Sequence, residues 1–413
     1  YYRRGFMVDL TSTPPPADFS RDCARTFSLG VLFHGMPHWG NLYHLIADLL
    51  LPLHTALAKA GRLSAPVGEG GDDAALMISL PELSQQGRPV ANPRDAIATA
   101  DHKDRPLRML RLFAARAGVR VLSARSERAG QRRVCFTERL HVGLDLALTP
   151  GVWLGSRRDT VHDSIMRRGV GDAHADAVGA ATESALAFLL ASAGITPNES
   201  QQRTRDASGD RTAAVNVLFI ERRAPSNRRF ANLAELERAA ARHTAGGWVR
   251  SVAPETLGFL REQLPLYRET DVLVCQTGQG CANIAFLRPG SVLILIMPEK
   301  YYGIKWMHAN LAIAAGMHVL VYRRVGDGET DGWYGRGQDD PNAHYKDEYH
   351  VDAAQLGRLV AQAGQILARV RRGGVAAVQP QLHALAPVGG ELAEEMTVAV
   401  EAGATLASVI SPP

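Results

Sequence analysis

Several of the features that usually betray a protein's class are missing from this sequence. Only four cysteines, Cys23, Cys135, Cys275 and Cys281, occur in 413 residues. Their spacing matches no metal-ligand pattern and implies no disulfide framework, though it leaves one bridge open. No run of 18 apolar residues exists, so no segment reads as a membrane-spanning helix. Lysine is nearly absent, with five against forty-one arginines. That bias fits either a GC-rich genome or a need for bidentate phosphate contacts. With a formal charge of only +4 and no basic run, nucleic acid is not an expected partner. The acids Asp72-Asp73 and Asp339-Asp340 are adjacent pairs in polar stretches, not an aspartate-x-aspartate metal motif. There are no internal repeats. The chain opens Tyr1-Tyr2-Arg3-Arg4 without an initiator methionine, which leaves room for an anchor or signal upstream.

What is present reads as a globular α/β protein. Hydrophobic residues make up 46% and charged residues 21%, and the length accommodates two cores of ordinary size. An apolar run at 29–33 leads into the segment 40–57, whose apolar residues recur with helical spacing behind Asn41 as N-cap. Strands are expected near 75–80 and 119–123, with a helix at 105–117 between them, and an alanine-rich helix at 172–194. The most polar stretch, 196–211, reads as a linker. Beyond it strands near 215–220, 248–252, 272–275, 292–297 and 319–322 alternate with helices at 233–243, 257–267 and 306–315. That alternation predicts βαβ units and a parallel sheet. The domains expected are 1–195, a linker 196–212, a doubly wound domain 213–375, and a tail 376–413 whose last helix returns to the first domain.

The sharpest local feature is a fully apolar strand that ends in Cys275-Gln276-Thr277-Gly278-Gln279-Gly280-Cys281, with an apolar helical segment after it. Glycines at the carboxyl end of a parallel strand let the backbone approach a phosphate, and a helix N-terminus adds unpaired N–H groups. The third glycine and the downstream acid of a dinucleotide fingerprint are lacking. Spacing alone therefore leaves a phosphate loop and a bare strand–helix turn equally open.

The stretch 217–322 resembles the C-terminal half of glycosyltransferase family 61, which includes plant xylan arabinosyl- and xylosyltransferases, the β-1,2-xylosyltransferase of N-glycans and animal N-acetylglucosaminyltransferases. Arg222, Arg228 and Asn232 match the family's arginine–arginine–asparagine pattern with two extra spacer residues. Gln263 and Asp271 match a glutamine ahead of an aspartate-led strand. Thr277 to Asn283, followed by Phe286, stands where the family has histidine-glycine-alanine-glycine-leucine-threonine-asparagine and then phenylalanine. Upstream, Asn41, His44 and Asp48 resemble an early asparagine–histidine–aspartate motif, and 134–144 a middle block. The segment 345–352 also looks similar. Three departures stand out: Thr277 replaces the signature histidine, Gln279 its alanine, and an apolar residue near Leu295 a usual glutamate.

The resemblance implies a GT-B architecture, with two Rossmann-like domains facing across a cleft. It also implies an inverting reaction that moves a sugar, usually from a UDP-sugar, to an acceptor hydroxyl of a glycan or glycoprotein. No cofactor and no metal are expected, because arginines and a helix terminus can neutralise a diphosphate leaving group. Arg222 and Arg228 are the expected phosphate clamps, assisted by backbone N–H groups of Gly278, Gly280 and Cys281. His44 and Asp48, four apart on a helix, are the expected catalytic pair, one the base and the other its orienting partner. Asn41, Asn232, Gln263, Thr277, Gln279, Asn283 and Lys346 are further donor-side expectations. For Asn283 and Gln263 a loop-holding role stands beside recognition of sugar or base, and for Asn283 capping of the following segment is an equal alternative. His34, His38 and His54 are left as structural or rim residues. A different nucleotide-dependent transferase and a degenerate, non-catalytic homologue that binds nucleotide or glycan are the competing readings. A Golgi or secretory lumen is expected if an anchor has been removed from a eukaryotic chain; otherwise the cytoplasm or a virus is expected.

Overall fold

The computed structural model describes residues 23–34, 42–63, 74–79, 109–123, 134–142, 173–195, 214–222, 229–257, 260–276, 278–297, 306–323, 350–373 and 382–384. The chain divides into two compact units, Tyr1–Ala147 and Leu148–Pro413. The last helix expected, 391–408, lies outside the described residues.

In the first unit four strands, β1 (Arg25–His34), β2 (Ala74–Ser79), β3 (Val119–Ser123) and β4 (Val134–Val142), form one parallel sheet in the order β3-β2-β1-β4. Phe27 stacks on Phe136 of the neighbouring strand at 6.2 Å. A disulfide joins Cys23, just before β1, to Cys135 on β4. The order reverses direction at β1, so β1 and β4 flank a topological switch point.

The helical segment after β1 is not uniform. It begins as α1 (Leu42–His44), widens into a π-helical turn (Leu45–Leu50) and continues as α2 (Leu51–Lys59). Pro52 supplies the cause. It has no N–H to give to the Asp48 carbonyl, and its ring crowds that same oxygen four residues back. Opening the turn by one residue avoids the clash. Seven consecutive residues, Leu51 to Leu57, are buried, as expected of a helix enclosed on all sides. A further helix, α3, spans 109–116. Its Phe113 meets the buried His54 ring edge-on at 6.4 Å. Burial depresses the His54 pKa from 6.5 to about 4, so this imidazole is neutral.

The second unit holds helix α4 (Ala173–Ser192), which the sequence placed at the end of the first domain. It packs against elements of this unit, the helix Trp306–Ala314 and the glycine-loop helix described below. The sheet here has six parallel strands in the order β10-β9-β8-β7-β5-β6. In chain order the elements are β5 (Val217–Ile220), α5 (Leu233–Ala241), β6 (Val249–Val252), α6 (Leu260–Glu269), β7 (Val272–Gln276), β8 (Val292–Met297), α7 (Trp306–Ala314), β9 (His318–Arg323), α8 (Ala353–Gly373) and β10 (Leu382–Ala384). The central strands are buried on both faces, which is why they read as unbroken apolar runs.

One face of the sheet presents Val217, Phe219, Val272, Val274, Ile294, Ile296 and Tyr322 to a core completed by α5 and α8. Helix α8 was not anticipated, yet its buried Leu356, Leu359, Val360, Ala363, Ile366, Leu367 and Val370 follow helical spacing. At the foot of the sheet Asp271, 5% exposed, stands directly before β7 as an anchor. Its carboxylate takes Arg288 at 2.8 Å, Arg371 of α8 at 2.9 Å and the Asn216 backbone N–H at 2.9 Å. Asp271 thus marks the end of the strand opposite the glycine loop.

Candidate functional site

Strand order locates the site before any side chain does. From β5 the chain moves one way to β6, then crosses back over β5 to β7 and continues outward through β8, β9 and β10. The switch point therefore lies between β5 and β7. In open parallel sheets the crevice beyond the carboxyl ends of two such strands is where ligands bind. Arg222 stands two residues past the end of β5, and the glycine loop follows β7 directly. The topology brings these two sequence features to one sheet edge.

The loop is held from several sides. After β7 a 3₁₀-helix runs from Gln279 to Phe286, eight residues long, where such helices rarely exceed one turn. Gly278 caps it at φ +154°, ψ −177°, a region that glycine alone occupies comfortably. A Cβ on Gly280 would come within 2.6 Å of the Ile220 Cγ2 at the end of β5. A second disulfide, unanticipated from sequence, joins Cys275 at the end of β7 to Cys281 inside the 3₁₀-helix, with both residues fully buried. The buried Asn283 amide donates to the Gly280 carbonyl at 2.9 Å. This contact is one that holds the loop.

The same hydrogen bonds say which backbone groups remain. The Cys281 N–H donates to the Gly278 carbonyl at 2.9 Å, so it is spent inside the turn and is not presented to a phosphate. The N–H groups of Gln279 and Gly280, at the very start of the helix, have no intrahelical acceptor. These two are the groups that the helix's own hydrogen bonds leave over.

Other expected donor-side residues have defined places. Asn232 precedes α5, and its amide spans to the start of α8, donating to the Val351 carbonyl at 2.8 Å and accepting the Val351 N–H at 3.2 Å. It ties together two helix N-termini at the carboxyl edge of the sheet. Asp352 caps α8 by accepting the Gln355 N–H at 2.8 Å, and its own N–H goes to the Tyr322 hydroxyl at 2.9 Å. Gln263, buried on α6, donates to the Pro254 carbonyl at 3.3 Å. Asn41, Arg228, Thr277 and Lys346 lie outside the described residues. So do the side chains of His44, Asp48 and Gln279, although their backbones are placed: His44 closes α1, Asp48 sits in the π-helical turn and Gln279 opens the 3₁₀-helix. π-turns recur at functional positions in helices. Among the described residues no group of three or more acids, histidines or cysteines is arranged to hold a metal, and no helix is long and apolar enough to cross a membrane.

One residue with no sequence-based role stands out. Gln276, the last residue of β7, is 8% exposed, and neither its Nε2 nor its Oε1 finds a hydrogen-bond partner among the described residues. Only its position beside the glycine loop would have flagged it in the sequence.

Parallel sheets with helices define the chain as a mixed α/β protein. The family model for Glycosyltransferase 61 matches residues 42–294. That span exceeds half of the 413 residues, and the chain belongs to glycosyltransferase family 61. It is therefore a glycosyltransferase, an enzyme with a sugar donor and an acceptor. The match includes His44, Asp48, Arg222, Arg228, Asn232, Gln263 and the whole glycine loop, and excludes Asn41 and Lys346. No curated protein matches the chain.

Proposed function

We propose that this enzyme transfers a sugar from a UDP-sugar to a hydroxyl of a glycan or glycoprotein, with inversion, without a metal, and on a GT-B framework. The observation that carries this reading is the convergence of Arg222 and the glycine loop on the β5–β7 switch point. Arg222 and Arg228 neutralise the pyrophosphate as it departs, and the Gln279 and Gly280 N–H groups bind its oxygens. His44 or Asp48 takes the proton of the acceptor hydroxyl while the other orients it. The acceptor oxygen attacks the anomeric carbon from the side opposite UDP. The bond from that carbon to the phosphate oxygen breaks, and UDP leaves with the electron pair. Asn41, Asn232, Gln263, Thr277, Asn283 and Lys346 complete the donor side, with Asn232, Gln263 and Asn283 acting through the backbone they hold. Two disulfides favour an oxidising compartment such as a secretory lumen.

A panel of nucleotide-sugars, each assayed for hydrolysis and for transfer to glycan acceptors, tests the reading. Turnover of a UDP-sugar alone supports it, and turnover only of donors on another nucleotide reassigns the donor. The second reading, a binding protein without turnover, is favoured by Thr277 and Gln279 at signature positions. It predicts nucleotide binding with no turnover of any donor.

A further inference from the structure

Gln276 occupies a position where a strand ending in an apolar core would ordinarily carry an apolar residue. Along β7 the side chains alternate. Val272 and Val274 face the core shared with α5 and α8, while Cys275 faces the glycine-loop helix to which it is disulfide-bonded. Gln276 continues the face of Val272 and Val274, one step beyond the last packed valine, and pairs in register with the buried Ile296 of β8. Its carboxamide can make several hydrogen bonds, and both of its polar atoms are buried without a partner among the described residues. Leaving such a group unsatisfied is costly, and a native structure that does so calls for an explanation. Here the explanation lies in the location: the end of a switch-point strand, directly before the glycine loop, at the sheet edge where the N-termini of α5 and α8 are joined through Asn232.

We infer that Gln276 is a donor-recognition residue, whose carboxamide hydrogen-bonds the nucleoside part of the sugar donor. The inference rests on the donor reading proposed above. A primary amide presents an acceptor and a donor side by side, and its complement is a paired donor–acceptor edge. The imide edge of a uracil base and the ribose diol both offer one. The residue is poised at a stability cost in the empty enzyme, which binding recovers. This inverts the usual result of mutation: removing the amide helps the fold and harms recognition.

The test compares wild type with Gln276→Met, which keeps length and volume, and with Gln276→Leu as a second variant. Melting temperature is measured without nucleotide, and affinity is measured by titration with UDP and with 2′-deoxy-UDP. The expected result is an unliganded melting temperature equal to or above wild type in both variants, with UDP bound roughly tenfold or more weakly. A loss of equal size for both nucleotides assigns the contact to the base, and a loss confined to UDP assigns it to the ribose. UDP affinity unchanged in both variants, or a fall in unliganded melting temperature by several degrees, overturns the inference and leaves the donor reading standing. Absence of any UDP binding by wild type sinks the donor reading and the inference with it.

Discussion

The α-carbon of Gly280 is packed so closely under Ile220 that a methyl group added to it would lie 2.6 Å from the Ile220 Cγ2. The end of β5 and the loop after β7 are therefore in direct contact, and the glycine is required for packing whatever it does for a phosphate. Gly280→Ala should destabilise the protein by about 1–3 kcal/mol through overpacking. Because Cγ2 is the obstructing atom, Ile220→Ala should relieve part of that loss, leaving the double variant less destabilised than the sum of the singles. Chemical denaturation of the four proteins checks this. Strict additivity would mean that the two residues do not press on one another.

The Cys275–Cys281 bridge closes the loop from its other side. Thiol labelling of the unreduced, denatured chain should modify none of the four cysteines, since Cys23 and Cys135 are paired as well. Replacing Cys275 and Cys281 together by alanine should lower stability by about 2–3 kcal/mol, as for other bridges that close short loops. It should weaken nucleotide binding more than turnover at saturation, because the bridge positions backbone and makes no chemical step. Two free thiols in the labelled wild type would contradict the pairing.

His54 gives the fold a pH dependence of known sign. The unfolded chain takes up a proton at its ordinary pKa of 6.5, whereas the folded chain does so only near pH 4. Stability supplied by the neutral ring is complete above pH 6.5 and is lost as pH falls from there towards 4. His54→Leu should therefore gain on wild type in melting temperature as the pH drops from 7 to 5. A difference between the two proteins that does not change over that range contradicts this assignment.

His44 and Asp48 are the proposed proton acceptor and its partner. His44→Ala and Asp48→Asn should each lower kcat by about 100-fold or more while UDP binding stays within a factor of about two, as expected for loss of general-base catalysis. Initial rates at saturating donor and acceptor, beside UDP titrations, separate the two effects. Full activity in both variants would move the base elsewhere in the chain.

Much of the fold was legible because a parallel sheet advertises itself. Val272–Cys275 and Val292–Met297 are apolar on both faces, and no surface requirement interrupts their runs. The glycine loop was legible for the same reason: it breaks an apolar run with residues that only a turn needs. What stayed hidden depends on partners distant in sequence. Cys23 and Cys135 lie 112 residues apart, and nothing local announces that β1 and β4 are neighbours. Cys275 and Cys281 are six apart, but their pairing requires the 3₁₀ turn to fold back towards β7. The expected Cys281 N–H contact to phosphate did not foresee that this group would be used within the turn. The π-helical widening at Asp48 was readable in principle from Pro52, four residues on. For Gln276 the sequence offers only its position beside the glycine loop, since its buried carboxamide without a partner among the described residues is visible only in the fold.

The most direct test of the account is calorimetric titration of UDP into wild type and Arg222→Ala. A pyrophosphate held at the β5–β7 edge predicts saturable binding to wild type, weakened about 10–100-fold by removal of one charge-assisted contact. No heat of binding and no thermal stabilisation at saturating UDP, or equal affinity in the two proteins, would contradict it.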